Sequence, residues 1–367
     1  MAARGHGAGR RWAVVAGLVS VLVATPLVIG ALPASDAAVS AADLRADVLA
    51  SADVGYSGYA ESAGGLLLPV SEQLTSVADL FSDRTEMRVW WRGPDDHRVD
   101  VITAAGETGT YRDECAIWTW EYERALVTRG EPTPFTLPVP ADLLPTSLGR
   151  RLLSEATDAE LSRIGARRVA GRDGLGLRLV PAEQASSVGR VDVWVEPGSG
   201  LPLQVEVYEK GEELAALDTR VLDLEVGRPS ADITAFEPPP GSRFREAREA
   251  EIVLEAGRRL DPVPLPDQLA GLPRRQLEGA PPAIGLYGSG VTLLAVAPAP
   301  AGLARALRNA LAQAPEAIRD DAGTRLAAGP VGLMLVETLG RGPYVLTGTV
   351  TLDALAEAAG QLPRRPS

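Results

Sequence analysis

The stretch VDVWVEPGSGLPLQVEVY, residues 191–208, decides the fold. Val191, Val193 and Val195 alternate with Asp192, Trp194 and Glu196, and Leu203, Val205 and Val207 alternate with Gln204, Glu206 and Tyr208. Successive side chains of a strand point to opposite faces, so each arm carries one apolar and one polar side. Gly198-Ser199-Gly200 between the arms is turn chemistry. Such a hairpin belongs in an antiparallel sheet buried on one face only.

The same period recurs upstream. Segments 84–91 and 98–103 flank a turn at Gly93-Pro94-Asp95-Asp96; Met87, Val89 and Trp91 share one face, Arg88, Trp90 and Arg92 the other. In the next strand Trp118, Trp120 and Tyr122 lie opposite Ile117, Thr119 and Glu121. Residues 56–61 read as the first strand. Helical patterning appears at 39–53, at 71–81 with Ser71 as its cap, and at 140–165. A sheet with one apolar face must bury it under those helices. The consecutive prolines at Phe236–Gly241 end this ladder.

Residues 242–282 read as a linker, with a charged run at 245–259 and Pro262, Pro264, Pro266 and Pro273. A small domain follows at 283–363. It has a hairpin turning at Gly288-Ser289-Gly290, a helix at 301–314, strands at 323–327, 331–339 and 344–350, and a last helix capped by Thr351. The expected class is α+β: a large antiparallel sheet with helices on one face, then a small α+β domain.

The chain of 367 residues carries a net charge of −12, which phosphate backbones would repel; nucleic acid is excluded as a partner. Arg4, Arg10 and Arg11 precede an apolar run from Trp12 to Leu32, and Ser35-Asp36-Ala37 follows with small residues. Residues 1–38 thus read as a signal peptide or an N-terminal membrane anchor, and the rest as extracytoplasmic. Cys115 is the only cysteine, so no internal disulfide forms. It reads as a small buried hydrophobe.

Chemistry is sparse. Of the two histidines, His6 is in the leader and His97 sits beside Asp95 and Asp96, where turn chemistry outweighs a metal site. The Gly-Ser-Gly turns are not nucleophile elbows, because no helix follows them directly. Gly171 to Gly176 lacks the strand-to-helix setting of a dinucleotide loop. No cofactor, no metal and no enzymatic activity are expected.

Four segments resemble the MucB/RseB family, whose first domain is similar to the lipoprotein carrier LolA. They are RDECAIWTWEYERALVTR (112–129), the hairpin 191–208 with Gly200-Leu201-Pro202-Leu203, the ending Phe236 with Pro238-Pro239-Pro240-Gly241, and the module from YGSGVTLLAV to PYVLTGTVTLDALAEAA. The resemblance places a LolA-like domain at 39–241. It implies a half-barrel sheet holding helices in its concave face, with the smaller RseB-type domain behind it. It implies a regulator that binds a membrane anti-sigma factor or other envelope protein, shields it from proteolysis and senses a lipid-like ligand. The alternative is a carrier of acyl chains in the concave cavity. Trp91, Trp118, Trp120, Tyr122, Val193 and Val205 would line that cavity; the residues alone favour ordinary core under the helices instead.

Overall fold

In the computed structural model, residues 34–64, 84–104, 106–132, 139–247, 264–276, 283–337 and 343–363 are described. The expected helix at 71–81 and nearly all of the leader and the charged run lie outside them. Among the described residues, no helix is long and apolar enough to cross a membrane.

The alternating segments assemble into one open sheet. In chain order its strands are β1 (Tyr56–Gly64), β2 (Thr85–Gly93), β3 (Asp96–Thr103), β4 (Gly106–Arg112), β5 (Ile117–Glu121) and β6 (Leu126–Gly130). There follow β7 (Leu161–Val169), β8 (Arg172–Leu179), β9 (Val188–Val195), β10 (Pro202–Glu209), β11 (Ala215–Val226) and β12 (Arg243–Glu246). The spatial order is β12-β6-β5-β4-β3-β2-β1-β11-β10-β9-β8-β7. Every neighbouring pair is antiparallel except β12 on β6.

Among the described residues, two helices cover the inner, concave face: α1 (Ala41–Ala50), capped by Ser40, whose Oγ accepts from the Asp43 amide at 3.1 Å, and α2 (Pro145–Leu153). Leu44, Val48 and Leu153 pack on Val191, Val193, Val205 and Val207. Leu143 and Leu144, just before α2, pack on Tyr56, Met87, Val89 and Trp91. Two glycines let the layers close. A Cβ on Gly149 of α2 would stand 2.8 Å from Pro202 Cγ. Gly200, at φ +72°, turns the β9–β10 hairpin where a Cβ would lie 2.4 Å from the Asp47 carbonyl oxygen. Arg163 of β7 ties the chain ahead of α1 to the sheet, donating to the carbonyls of Ala37 and Val39 and pairing with Asp36 at 2.6 Å.

Strand register separates the two faces. Trp91 stands opposite His97, His97 opposite Arg112, and Arg112 opposite Ile117, so these four share the inner face. The adjacent row of Trp90, Arg98, Tyr111, Trp118 and Arg129 faces outward. There arginines pair with buried carboxylates. Arg98 grips Asp100 with two bonds of 2.9 and 2.7 Å, and Arg178 grips Asp192 with two of 2.7 Å.

Three sequence expectations change. The helix expected at 140–165 ends at Leu153, with a short 3-10 turn at Asp158–Glu160, and residues from Leu161 form β7. Pairing with β8 supplies backbone partners that outweigh local helix propensity. The first sheet extends past Gly241, because β12 adds itself in parallel to β6. The second sheet begins inside the expected linker, at β13 (Gln268–Leu269) and β14 (Leu272–Arg275).

That second sheet continues with β15 (Gly285–Ser289), β16 (Thr292–Pro298), β17 (Ile318–Asp320), β18 (Gly323–Ala328), β19 (Val331–Val336) and β20 (Tyr344–Gly348), in the order β13-β14-β15-β16-β20-β19-β18-β17. Helix α3 (Ala301–Gln313) packs on Leu326 and Leu335. Helix α4 (Leu352–Gln361) packs on the other face, against Leu294, Met334 and Leu346. Thr351 caps α4 as expected, accepting from the Ala354 amide at 3.2 Å.

A backbone seam joins the domains. The Ser187 amide donates to the Thr349 carbonyl at 3.2 Å, and the Thr351 amide to the Ala185 carbonyl at 2.8 Å. Glu155, just beyond α2, accepts from the Gly290 amide at 2.7 Å and from Arg275. Those bonds hold its carboxyl below the usual range. Val291 inserts into the inner core of the first domain.

Candidate functional site

A cleft of about 480 Å³ opens on the inner face between the sheet and α2. That volume suits one small ligand, since such sites span roughly 300–1,000 Å³. Trp91, His97, Arg112 and Ile117, the row defined above, border it from the sheet, with Thr110 beside them. Ser147, Arg150, Arg151 and Ser154 border it from α2 and its end, and Val139, Ala141 and Asp142 from the turn before it.

An aromatic stack underlies the cleft. Trp91 stacks on His97 with centroids 4.5 Å apart and on Tyr56 at 6.1 Å. Its Nε1–H donates to the Ala52 carbonyl at 2.9 Å, which fixes the ring. Tyr56 Oη and Thr146 Oγ1 share a hydrogen bond of 2.6 Å, and burial pushes the phenol up to about 12. Burial likewise pushes His97 down to about 4, so at neutral pH the ring is uncharged. Its Nδ1 faces the Gly93 carbonyl at 3.2 Å; a carbonyl only accepts, so Nδ1 carries the proton.

The charges are unevenly matched. Arg112 pairs with Asp95 at 2.8 Å, and Arg151 lies 3.9 Å from Asp142. Arg150 forms no ion pair among the described residues. Its guanidinium lies 5.3 Å over the Trp91 ring, and its Nη1 is buried with no hydrogen-bond partner. Burial pushes this arginine below its ordinary value, opposed by the charges of Tyr56 and Asp53. Ser147 Oγ, one helical turn before Arg150, is also buried without a partner. Three arginines against two aspartates leave the cleft one positive charge in surplus, in a chain of net charge −12.

Of the six residues singled out from sequence, Trp91 borders the cleft. Val193 and Val205 are wholly buried beneath α1 and α2. Trp118, Trp120 and Tyr122 lie on the outer face, so the inner cavity is not theirs. Trp118 packs on Phe236 and Phe244 and beneath Arg129, Trp120 packs against Tyr122, and Tyr122 is 42% exposed. The connection at residues 113–116 sets which parity of β5 faces inward, and alternation alone cannot show it. Cys115 sits in that connection and is exposed rather than buried, its amide donating to Asp113 Oδ1 at 2.7 Å. His97 lies in β3 rather than in a turn. Among the described residues, no group of His, Cys, Asp or Glu is placed to hold a metal. Sequence reading missed Arg150 and Ser147, since nothing in TSLGRRLL separates Arg150 from its neighbour Arg151.

No family model matches the chain, and no curated protein matches it. Among solved structures the chain is similar to MucB in the Pseudomonas aeruginosa MucA/MucB complex, at 16% identity over 89% of this chain and 99% of that one, with a TM-score of 0.48. It is similar to MucB in complex with MucA(peri), at 16% identity over 89% of this chain and 100% of that one, with a TM-score of 0.47. A LolA superfamily protein from Nitrosomonas europaea aligns at 11% identity over 54% of this chain and 99% of that one, with a TM-score of 0.25.

Proposed function

We propose that this chain is a non-enzymatic extracytoplasmic regulator that docks on a membrane anti-sigma factor or similar envelope protein, and that the inner cleft of its first domain takes a lipid-like ligand. The observation that carries the reading is the cleft itself. It is small, walled by Leu49, Trp91, Ile117 and Val139, and sits beside a helix whose far end holds the second domain through Glu155. A ligand there would touch α2 directly, and Glu155, two residues past the end of α2, bonds to Gly290 and Arg275 of the second domain. The export-type leader and the resemblance of the four segments to RseB-like proteins support the setting and the class of partner. MucB itself has been solved with MucA.

The reading is tested by affinity capture from envelope fractions with the full-length protein as bait. Recovery of a membrane-embedded signalling protein is expected. Recovery of soluble proteins alone would remove the docking half of the proposal.

The second reading, an acyl-chain carrier, draws on the same apolar walls. A carrier purified without detergent should bring a stoichiometric amphiphile with it, read by native mass spectrometry.

A further inference from the structure

We propose that the inner cleft is a site for a small monoanionic amphiphile, a carboxylate on an apolar chain, whose head is received by Arg150 Nη1 and Ser147 Oγ. The inference rests on the ligand half of the reading above and assigns the chemistry of the head group.

A buried cation without a partner is costly, because desolvation is offset neither by an opposite charge nor by hydrogen bonds. Elsewhere in this domain the cost is met. Arg98 over Trp90 has Asp100, and Arg167 over Trp194 has Glu206 at 2.5 Å. Arg150, half-buried over Trp91, has the same aromatic platform but no ion pair and no hydrogen bond at Nη1; only the charge of Asp53 acts on it, from beyond ion-pair distance. An acceptor at Nη1 would satisfy this group, and a negative one would also match its charge; none of the described residues supplies it.

The number and placing of donors narrow its class. Ser147 and Arg150 stand three apart on α2, which puts them on one side of the helix. Both have a buried polar atom with no hydrogen-bond partner, and both border the cleft. Two donors suit the two oxygens of a carboxylate. One surplus charge suits a monoanion; a phosphate dianion would leave a negative charge buried. Arg112 and Arg151 already face Asp95 and Asp142, so neither supplies a second free cation. Neutral His97 adds none. Leu49, Pro94, Ile117 and Val139 around these groups offer the chain an apolar lodging.

The test uses full-length protein and three probes of equal chain length: octanoate, octanol and octyl phosphate. Isothermal titration at neutral pH should show octanoate binding about tenfold or more tightly than octanol, the scale of a charge-assisted hydrogen bond. Octyl phosphate should bind more weakly than octanoate. Arg150→Met should remove the octanoate preference, bringing octanoate affinity down to that of octanol in the same variant; Ser147→Ala should reduce the preference in part. A thermal melt shows whether each variant is folded, and Arg150→Gln serves if the methionine variant is not. Equal binding of octanoate and octanol would overturn the head-group assignment while leaving a lipid cleft standing. Tighter binding of octyl phosphate would overturn the carboxylate. Failure of all three probes to bind would end both this inference and the ligand half of the proposed function, without touching the capture of a protein partner.

Discussion

The outer face of the first sheet and the helix α2 over its inner face hold their arginines differently. On the outer face each of Arg98, Arg167 and Arg178 meets a carboxylate that is itself largely buried: Asp100, Glu206 and Asp192. Aromatic rings lie under two of them, so the outer layer is built from stacked guanidinium groups and paired charges. On α2, Arg150 has its ring but no ion pair among the described residues. The same residue type is mortar on one side and an unmet charge on the other. What separates structure from function here is the partner, and the partner is visible only in three dimensions.

The largest expected effect breaks the outer pattern. Asp100→Ala leaves Arg98 partly buried and unpaired, so urea denaturation should show a loss of about 3 kcal/mol, the scale for halving a buried pair. A loss below about 1 kcal/mol would mean that the outer pairs do not hold the sheet.

His97 gives the next effect. Its value is 6.5 when unfolded and about 4 when folded, so between those limits the unfolded chain binds the extra proton. The stabilisation is complete above pH 6.5 and is lost as pH falls toward 4. It amounts to about 3 kcal/mol over that window. Carboxylates contribute to the same acid slope, so the measurement is the difference between wild type and His97→Gln. Parallel stability curves for the two proteins would contradict the burial of a neutral ring.

Arg150→Met should act in the opposite direction from Asp100→Ala. Replacing a half-buried cation that has no ion pair by an apolar chain of similar length should raise stability by about 1 kcal/mol or leave it unchanged. A large loss would show that Arg150 is mortar too. Glu155→Gln should have the smallest effect, below about 1 kcal/mol, because that clamp is partly exposed and the Gly290 amide keeps an acceptor.

These contrasts also mark where sequence stops being informative. The 191–208 hairpin, the glycine turns, the Thr351 cap and both helices of the second domain are local, and period or capping chemistry reveals them. β7 is not local, because Leu161–Val169 becomes a strand only through its pairing with β8. The strands β8 and β11 are interrupted by Gly, Arg and Asp, which blurs their alternation. The site was half legible. Trp91 follows from alternation, but the inward parity of β5 depends on a four-residue connection. The singular state of Arg150 depends on the absence of an acid that any of twelve strands could have supplied.

The seam between the sheets bears on modularity. Val291 of the second domain is part of the first domain's core, and Ser187 and Ala185 spend their backbone groups on Thr349 and Thr351. A chain cut before residue 283 would lose that plug and leave those groups to water. The halves are therefore not interchangeable cassettes. Calorimetry should show one shared transition, and a first domain expressed alone should melt at a lower temperature than it does within the intact chain.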